Sequence, residues 1–556
     1  MLVGGTPRFE SGLSRASSAA EPGLFPDART TALVPRDSYR SEFVEGTNER
    51  LEPYIIVPKE ETKEVGKGRL LERLARLNIL VNSEIPLIKG FTAIMNQESK
   101  QKLEEAGFKA IPDQDGRFLP PEPWEREPEE ATDSSGREVV GPRPALTEPR
   151  FLTALTQQYT GRGIGIAVVD TGIYPHPDFT YPQNRIVAFQ DFVNDRTLPY
   201  DDNGHGTHVA GDAAGSGFLS RGIHRGTAPD ARVVAVKVLD ERGHGSTSRI
   251  LQGINWVVEN RERYNIRVIN LSLGSYQPRG EDDPIRQAVE KAAEAGVVVV
   301  VSAGNRGPSL GSISAPGDSP SVITVGAVDD RNTPSTDDDR IPNFSSRGAR
   351  GSSKPDLVAP GEAIIGPNAP GTPTEATARK YTAVNETLGW LDRMPDSQLV
   401  NVPFETLRLI GLKEASIRRF KQSPSSARIE LNRLRETTDR LPMVQGNYTG
   451  MPGTSMAAPI VAGVVAQLLE ANPFLTPDDV KEILRSTATP LDGYLPESQG
   501  AGVINPDGAL QAAVKRLRNP EPNGQMRLPI FMSTQEDSRG PESAGSWSVA
   551  LQETTP

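Results

Sequence analysis

The chain has 556 residues, no cysteine and a formal net charge of −11, with 61 basic against 72 acidic side chains. Without cysteine there are no disulfides, thiolate zinc sites or cysteine nucleophile. The charge forms no long block of one sign, and no apolar run reaches the roughly 20 residues of a membrane span, so neither nucleic acid nor membrane is expected as a partner.

Such a length exceeds a single core and implies two or three units. Residues 1–50 are rich in Ser, Gly, Pro and Arg without periodicity and read as a disordered leader. No apolar core of about 7–15 residues follows Met1, so the expected location is cytoplasmic, with secretion left open. Residues 52–118 read as a small α+β unit in the order βαββαβ. Its strands are Tyr54–Val57, Ile79–Val81, Phe91–Met95 and Lys109–Ile111, and its helices carry Leu70, Leu74 and Leu77 and then Ser99–Ala106. Residues 119–150, with Pro120-Pro121-Glu122-Pro123 and mixed charges, read as a linker open to proteolysis.

From 151 to 515 strands and helices alternate. Apolar strands are predicted at Ile164–Val169, Arg232–Leu239, Arg267–Leu273, Val297–Ser302 and Val322–Val328, with helices between them. Strands apolar on both faces and joined by helices predict a mostly parallel, doubly wound α/β sheet. In such sheets active residues gather beyond the carboxyl ends of the strands. Asp170 ends one strand, and Asn305 follows another.

Gly453-Thr454-Ser455-Met456-Ala457-Ala458-Pro459 runs into an apolar helix, placing Ser455 where unpaired N–H groups hold a developing negative charge. A serine so placed is a candidate nucleophile only beside a base and an orienting group. All five histidines lie between His176 and His244, and His205 opens a small-residue helix at Asn203-Gly204-His205-Gly206-Thr207-His208. His208 one turn on suggests a metal pair, with Asp212 as a third candidate ligand. The helical zinc motif needs a four-residue spacing and a glutamate, neither of which is present, so His208 reads as structural and no metal ligand is assigned.

Asp170-Thr171-Gly172-Ile173, His205-Gly206-Thr207-His208-Val209-Ala210-Gly211, Ser302-Ala303-Gly304-Asn305 and Gly453-Thr454-Ser455-Met456 resemble, in this order, the motifs of subtilisin-like serine proteases. The resemblance implies a serine endopeptidase with Ser455 as nucleophile, His205 as base, Asp170 as its orienting acid and Asn305 as oxyanion donor. It implies that polypeptide substrates are clamped between Gly243-His244-Gly245 and Ser272-Leu273-Gly274. The uncharged pocket walls Ser302-Ala303-Gly304 and Ser314-Ala315-Pro316 imply broad or apolar specificity.

The small unit resembles, with Gly90-Phe91-Thr92-Ala93, the ferredoxin-like inhibitor prodomain of this family, implying a self-processing zymogen with its own prodomain as intramolecular inhibitor. Where secreted relatives carry a calcium loop, Gly215–Gly226 offers no carboxylate and two arginines, so no cofactor is assigned and no calcium site is legible. This segment resembles the minor cytoplasmic-type bacterial members.

The larger departure lies between Gly361 and Gly453, which have 91 residues between them. Residues 367–446 are predicted to form a helical insertion, which the resemblance places on the leaving-group side of the cleft; there it would either gate bulky substrates or be a solvated decoration remote from the cleft. Residues 520–556 read as a disordered tail.

Overall fold

The computed structural model describes residues 51–59, 67–77, 79, 81–119, 153–275, 280–331, 333, 335–438 and 443–518. The expected leader, most of the linker and the tail lie outside the described residues.

Four strands, Glu52–Pro58 (β1), Val81–Ile85 (β2), Gly90–Met95 (β3) and Phe108–Pro112 (β4), form an antiparallel sheet in the order β2-β3-β1-β4. Helices Lys67–Arg76 and Gln97–Glu105 complete the unit. The second starts where the Asn96 side chain accepts from the Ser99 N–H, a conventional N-cap.

Alternation along β1 divides its side chains between two cores. Tyr54 and Ile56 pack with Leu70, Leu74 and Leu103 of the unit's own helices. Ile55 and Val57 join Ile250, Ile254, Ile285 and Val289 of the larger domain. The small unit is thus packed on the large one by the outer face of its sheet.

Beyond β4 the chain continues as Asp115–Arg117 (β5). The large sheet then takes Gly165–Asp170 (β6), Ile186–Asp191 (β7) and Arg232–Lys237 (β8). The short strand His244–Ser246 (β9) stands apart from it and pairs with β5. Ile266–Leu271 (β10), Val298–Ser302 (β11), Ile323–Val328 (β12) and Leu357–Pro360 (β13) complete a seven-stranded sheet, ordered β13-β12-β11-β10-β6-β8-β7. Every pairing in it is parallel. Strand order reverses around β6, so Asp170 stands at a crevice beyond a carboxyl end.

Helix Thr454–Ala471 crosses one face of the sheet and is buried along nearly its whole length. By length and composition alone it could cross a membrane, but 94% of it is covered by the rest of the protein. Its Ile460, Val464 and Leu468 pack with Val168, Val300 and Val325 of the strands beneath. The opposite face is covered by Thr247–Glu259 and Pro284–Glu294. The second of these helices has Asp283 as N-cap and Pro284 at its start, as the sequence predicts.

The segment between β13 and the serine helix begins with Ile364–Pro367 (β14). It returns through Met443–Gln445 (β15) and Tyr448–Met451 (β16), which make a three-stranded sheet ordered β14-β16-β15. Between β14 and β15 lie five helices among the described residues, from Pro373–Asp392 to Pro424–Thr438. They enclose a core of their own, with Leu388, Leu407, Ile417, Phe420 and Leu431 all buried. The insertion is a folded subdomain, and helix Pro506–Arg518 carries the large domain slightly past the expected boundary at 515.

Candidate active site

Asp170 and His205 are brought together at the end of β6. His205 Nδ1 lies 2.8 Å from Asp170 Oδ1, and both side chains are about 1% exposed. This pairing fixes the orientation of the imidazole ring.

The loop before His205 is organised by a residue the sequence reading passed over. Asp201 Oδ1 accepts from Thr171 Oγ1 and from the N–H groups of Asn203 and Gly204 at 2.8–3.0 Å. Its Oδ2 accepts from Thr207 N–H and Oγ1 at 2.9 and 2.6 Å. Thr171 follows the acid and Thr207 lies one turn into the histidine helix, so one carboxylate ties the two segments together. Gly204 has φ 103°, a conformation that favours glycine.

Ser455 lies in the first turn of its helix, after Gly453 at φ 148°. Pro459, four residues on, has no N–H, so the Ser455 carbonyl has no helical partner at that position. Ser272 Oγ supplies the missing donor to Ser455 O at 2.7 Å and itself accepts from Asn270 Nδ2. Ser455 Oγ in turn donates to Ser272 O at 3.4 Å. Ser272, expected only as a wall of the peptide cleft, therefore also anchors the serine turn. A mid-helix proline four residues after the serine was the available signal.

Asn305 is fully buried, and its Oδ1 accepts from both Thr454 N–H and Thr454 Oγ1, at 3.0 and 2.9 Å. This turns the Nδ2 amide the other way. A Cβ built on Gly453 would lie 3.4 Å from that nitrogen, so the amide borders the approach to Ser455.

The two expected cleft edges face each other across a strand of the same chain. β5 pairs antiparallel with β9, with Arg117 opposite His244 and Gly116 opposite Gly245. Phe118 N–H and Leu119 N–H donate to Gly243 O, while Gly274 N–H donates to Phe118 O at 2.9 Å. Phe118 and Leu119 are buried against Leu239, Leu251 and Leu273. The residue expected to begin the linker, Leu119, thus follows β5 and stays bonded to Gly243 O.

Where β4 turns into β5, Asp113 Oδ1 accepts from Ser248 N–H, and Gln114 O accepts from Thr247 N–H. The small unit therefore covers the amino end of helix Thr247–Glu259. Burial pushes the Asp113 carboxyl up to about 6, against hydrogen bonding to Ser248, with neighbouring Asp115 adding to the rise and Arg249 opposing it.

His208 is held as a buried structural group. Its Nδ1 faces Asp212 Oδ2 at 3.0 Å and its Nε2 faces Thr449 O at 2.7 Å, tying the histidine helix to β16. Burial raises the Asp212 carboxyl, and the charge of His208 opposes that rise.

The 215–226 segment does receive a carboxylate, from Asp178 outside it. Asp178 accepts from Leu219 N–H at 3.2 Å and lies 3.0 Å through each oxygen from the Tyr448 hydroxyl. Among the described residues no group of three or more His, Asp or Glu is arranged to hold a metal ion.

A parallel sheet presenting a buried Asp–His pair at a strand end, with a serine in the first turn of a buried helix on the same sheet, defines the class as a subtilisin-like serine endopeptidase. Residues 161–502 match the subtilase family, peptidase S8, and the chain belongs to that family. It is 39% identical over 362 residues to serine protease AprX of Bacillus subtilis (strain 168), covering 64% of this chain and 67% of that protein. Subtilisin E of the same organism is 32% identical over 362 residues, covering 64% of this chain and 68% of that protein. Among solved structures, fervidolysin from Fervidobacterium pennivorans has a similar fold, with a TM-score of 0.52 at 22% identity. That similarity covers 85% of this chain and 62% of fervidolysin.

Proposed function

We propose that the protein hydrolyses peptide bonds through an acyl-enzyme formed on Ser455. His205 takes the Ser455 proton as the hydroxyl attacks the carbonyl carbon, and returns it to the leaving amine. Asp170 holds Nδ1 of His205 and stabilises the imidazolium. The oxyanion is met by Asn305 Nδ2 and the Ser455 N–H, aligned in advance and needing no rearrangement. A water then attacks the acyl-enzyme by the same proton route, releasing the acid product. None of these steps assigns a role to a metal or cofactor.

One observation carries the choice of substrate: a segment of the chain already lies in the cleft as an extended strand, hydrogen-bonded to Gly243 on one side and Gly274 on the other. Recognition of this kind uses main-chain bonds and tolerates many sequences, while Leu239 and Leu273 favour apolar acyl-side residues. The same observation supports reading residues 52–118 as a ferredoxin-like inhibitory prodomain, given its sheet order β2-β3-β1-β4 and its seat on two helices of the large domain. The protein is then a zymogen that cuts itself between 119 and 150.

The test compares intact masses of wild type and Ser455→Ala after purification. Wild type is expected to lose its first 119–150 residues, and Ser455→Ala to stay whole and bind a fluorophosphonate probe no better than background. A Ser455→Ala protein that still processes itself would refute the assignment.

A further inference from the structure

We infer that the helical insertion helps position the general base, acting through Asn203. The inference rests on His205 having that role. It follows from what the first turn of helix Pro373–Asp392 touches. Thr374 N–H donates to Asn203 O at 3.2 Å, and Thr374 Oγ1 reaches Asn203 Oδ1 at 3.5 Å. Asn203 Oδ1 accepts from the His205 N–H at 3.1 Å, so one side-chain oxygen is shared by the insertion and the backbone of the base. The fit is close: a Cβ on Gly204 would stand 2.7 Å from Thr372 Oγ1 and 2.9 Å from Thr374 Cβ.

Both sides of this contact are stiff. On the loop side, Asp201 binds the Asn203 and Gly204 N–H groups, and Asn203 Nδ2 donates to Glu241 O at 2.9 Å. On the insertion side, Thr372 caps the helix by accepting from Glu375 N–H and donating to Ala369 O. Glu375 is 7% exposed and accepts from Asn368 Nδ2 and Gly371 N–H. A loop held from one side keeps its freedom to rock. Held from both sides, it fixes the backbone from which the imidazole projects, and a misplacement of about 1 Å at such a group costs on the order of a hundredfold in rate.

The insertion has its own apolar core, so its removal leaves the two cores of the large domain uncut. Two readings of the insertion thereby separate. A gate would change only the turnover of bulky substrates, whereas a positioning element changes kcat for the smallest substrate too.

The experiment replaces Thr372–Pro442 with a short Gly/Ser linker in the full chain. It measures kcat and KM on an activated ester and a short peptide, together with the pH profile of kcat/KM. The expected result is a tenfold or greater loss of kcat on both substrates, with KM within about twofold and a shifted acidic limb. Asn203→Ala in the intact chain should reproduce most of that loss, and adding it to the linker variant should cost less than threefold more, since coupled residues are non-additive. Should the linker variant fail to fold, Thr372→Val, which removes the hydroxyl that caps the helix and holds Ala369 O, enters the same cycle with Asn203→Ala. A kcat and acidic limb like those of wild type, or losses that multiply independently, would overturn the inference. Hydrolysis surviving in His205→Ala would instead overturn the reading of the site itself.

Discussion

The Ser272 hydroxyl donates to the carbonyl oxygen of Ser455 at 2.7 Å, in the place where Pro459 leaves the helix without a donor. The serine turn therefore depends on a partner 183 residues away in the chain. Removing it leaves a buried carbonyl unsatisfied, at a cost of about 1–3 kcal/mol.

Ser272→Ala is expected to lower both Tm and kcat, with kcat falling about tenfold. Restoring a helical donor by Pro459→Ala in the same chain should recover most of the loss in Tm. Equal Tm values for Ser272→Ala and the double variant, measured by calorimetry, would show that the hydroxyl holds something other than this carbonyl.

Thr454→Val removes one of the two donors that orient Asn305 and leaves the backbone donor in place. On the proposed oxyanion role of Asn305, the expected effect is a fall in kcat of about tenfold with KM nearly unchanged, since such a donor acts on charge that develops only in the transition state. Steady-state kinetics on a short peptide reads this directly. A change in KM alone would make Asn305 a ground-state binding group.

Asp113 gives the contact between the small unit and the large domain a pH dependence of definite sign. Its carboxyl is raised to about 6 in the packed state by burial, with Asp115 contributing in the same direction and Arg249 opposing. A raised carboxyl means that packing takes up a proton. The contact is firmest below the ordinary carboxylate range, weakens as pH rises through about 6, and is flat above that. The span is one to two orders of magnitude in the opening equilibrium, at roughly 1.4 kcal/mol per unit. In full-length Ser455→Ala, protection of the Thr247 and Ser248 amides, corrected for intrinsic exchange, should drop between about pH 4 and 6 by about that factor and stay level above it. Asp113→Asn should remove the step and leave the contact firmer than wild type at pH 8. A step that persists in Asp113→Asn would assign the effect to another group.

Tyr448 lies on β16 and joins it to Asp178 and the 215–226 segment. Its hydroxyl lies 3.0 Å from both Asp178 oxygens and accepts from Ser220 N–H at 3.1 Å. Burial raises this phenol well above its ordinary value, with Asp178 adding to the rise, so it stays a donor at every working pH. Tyr448→Phe strips a donor from a carboxylate with no exposed surface, and about 1–3 kcal/mol of stability should go with it. The corresponding drop in Tm is several degrees. An unchanged Tm would show that Leu219 N–H alone satisfies Asp178.

Most elements were legible because their signals are local. Pro284–Glu294 announced itself by its cap, its first-turn proline and its apolar face, and β6, β8, β10, β11 and β12 by short apolar stretches rich in Val and Ile. β7 was not seen, because Ile186–Asp191 is a half-buried edge strand whose polar residues interrupt any pattern. β2 begins two residues later than predicted, at Val81, since its polar Asn82, Ser83 and Glu84 gave no strand signal. Asp170 and His205, read from their motifs, stand 2.8 Å apart. Asp201 was missed because a loop aspartate two residues before Asn203 resembles any turn residue until its five donors are counted in space.

By itself the sequence determined the family, the parallel sheet and the residue types that chemistry of this class needs, all of which are written in short contiguous stretches. Only the tertiary structure decided which far-apart groups complete them: Ser272 for the carbonyl left by Pro459, Thr454 for Asn305, Asp113 for the helix at Ser248, and Thr374 for the loop of His205. The physical reason is that a buried polar atom must find a donor or acceptor wherever packing brings one. The sequence shows the need at one end of such a bond, and the fold alone selects the residue at the other.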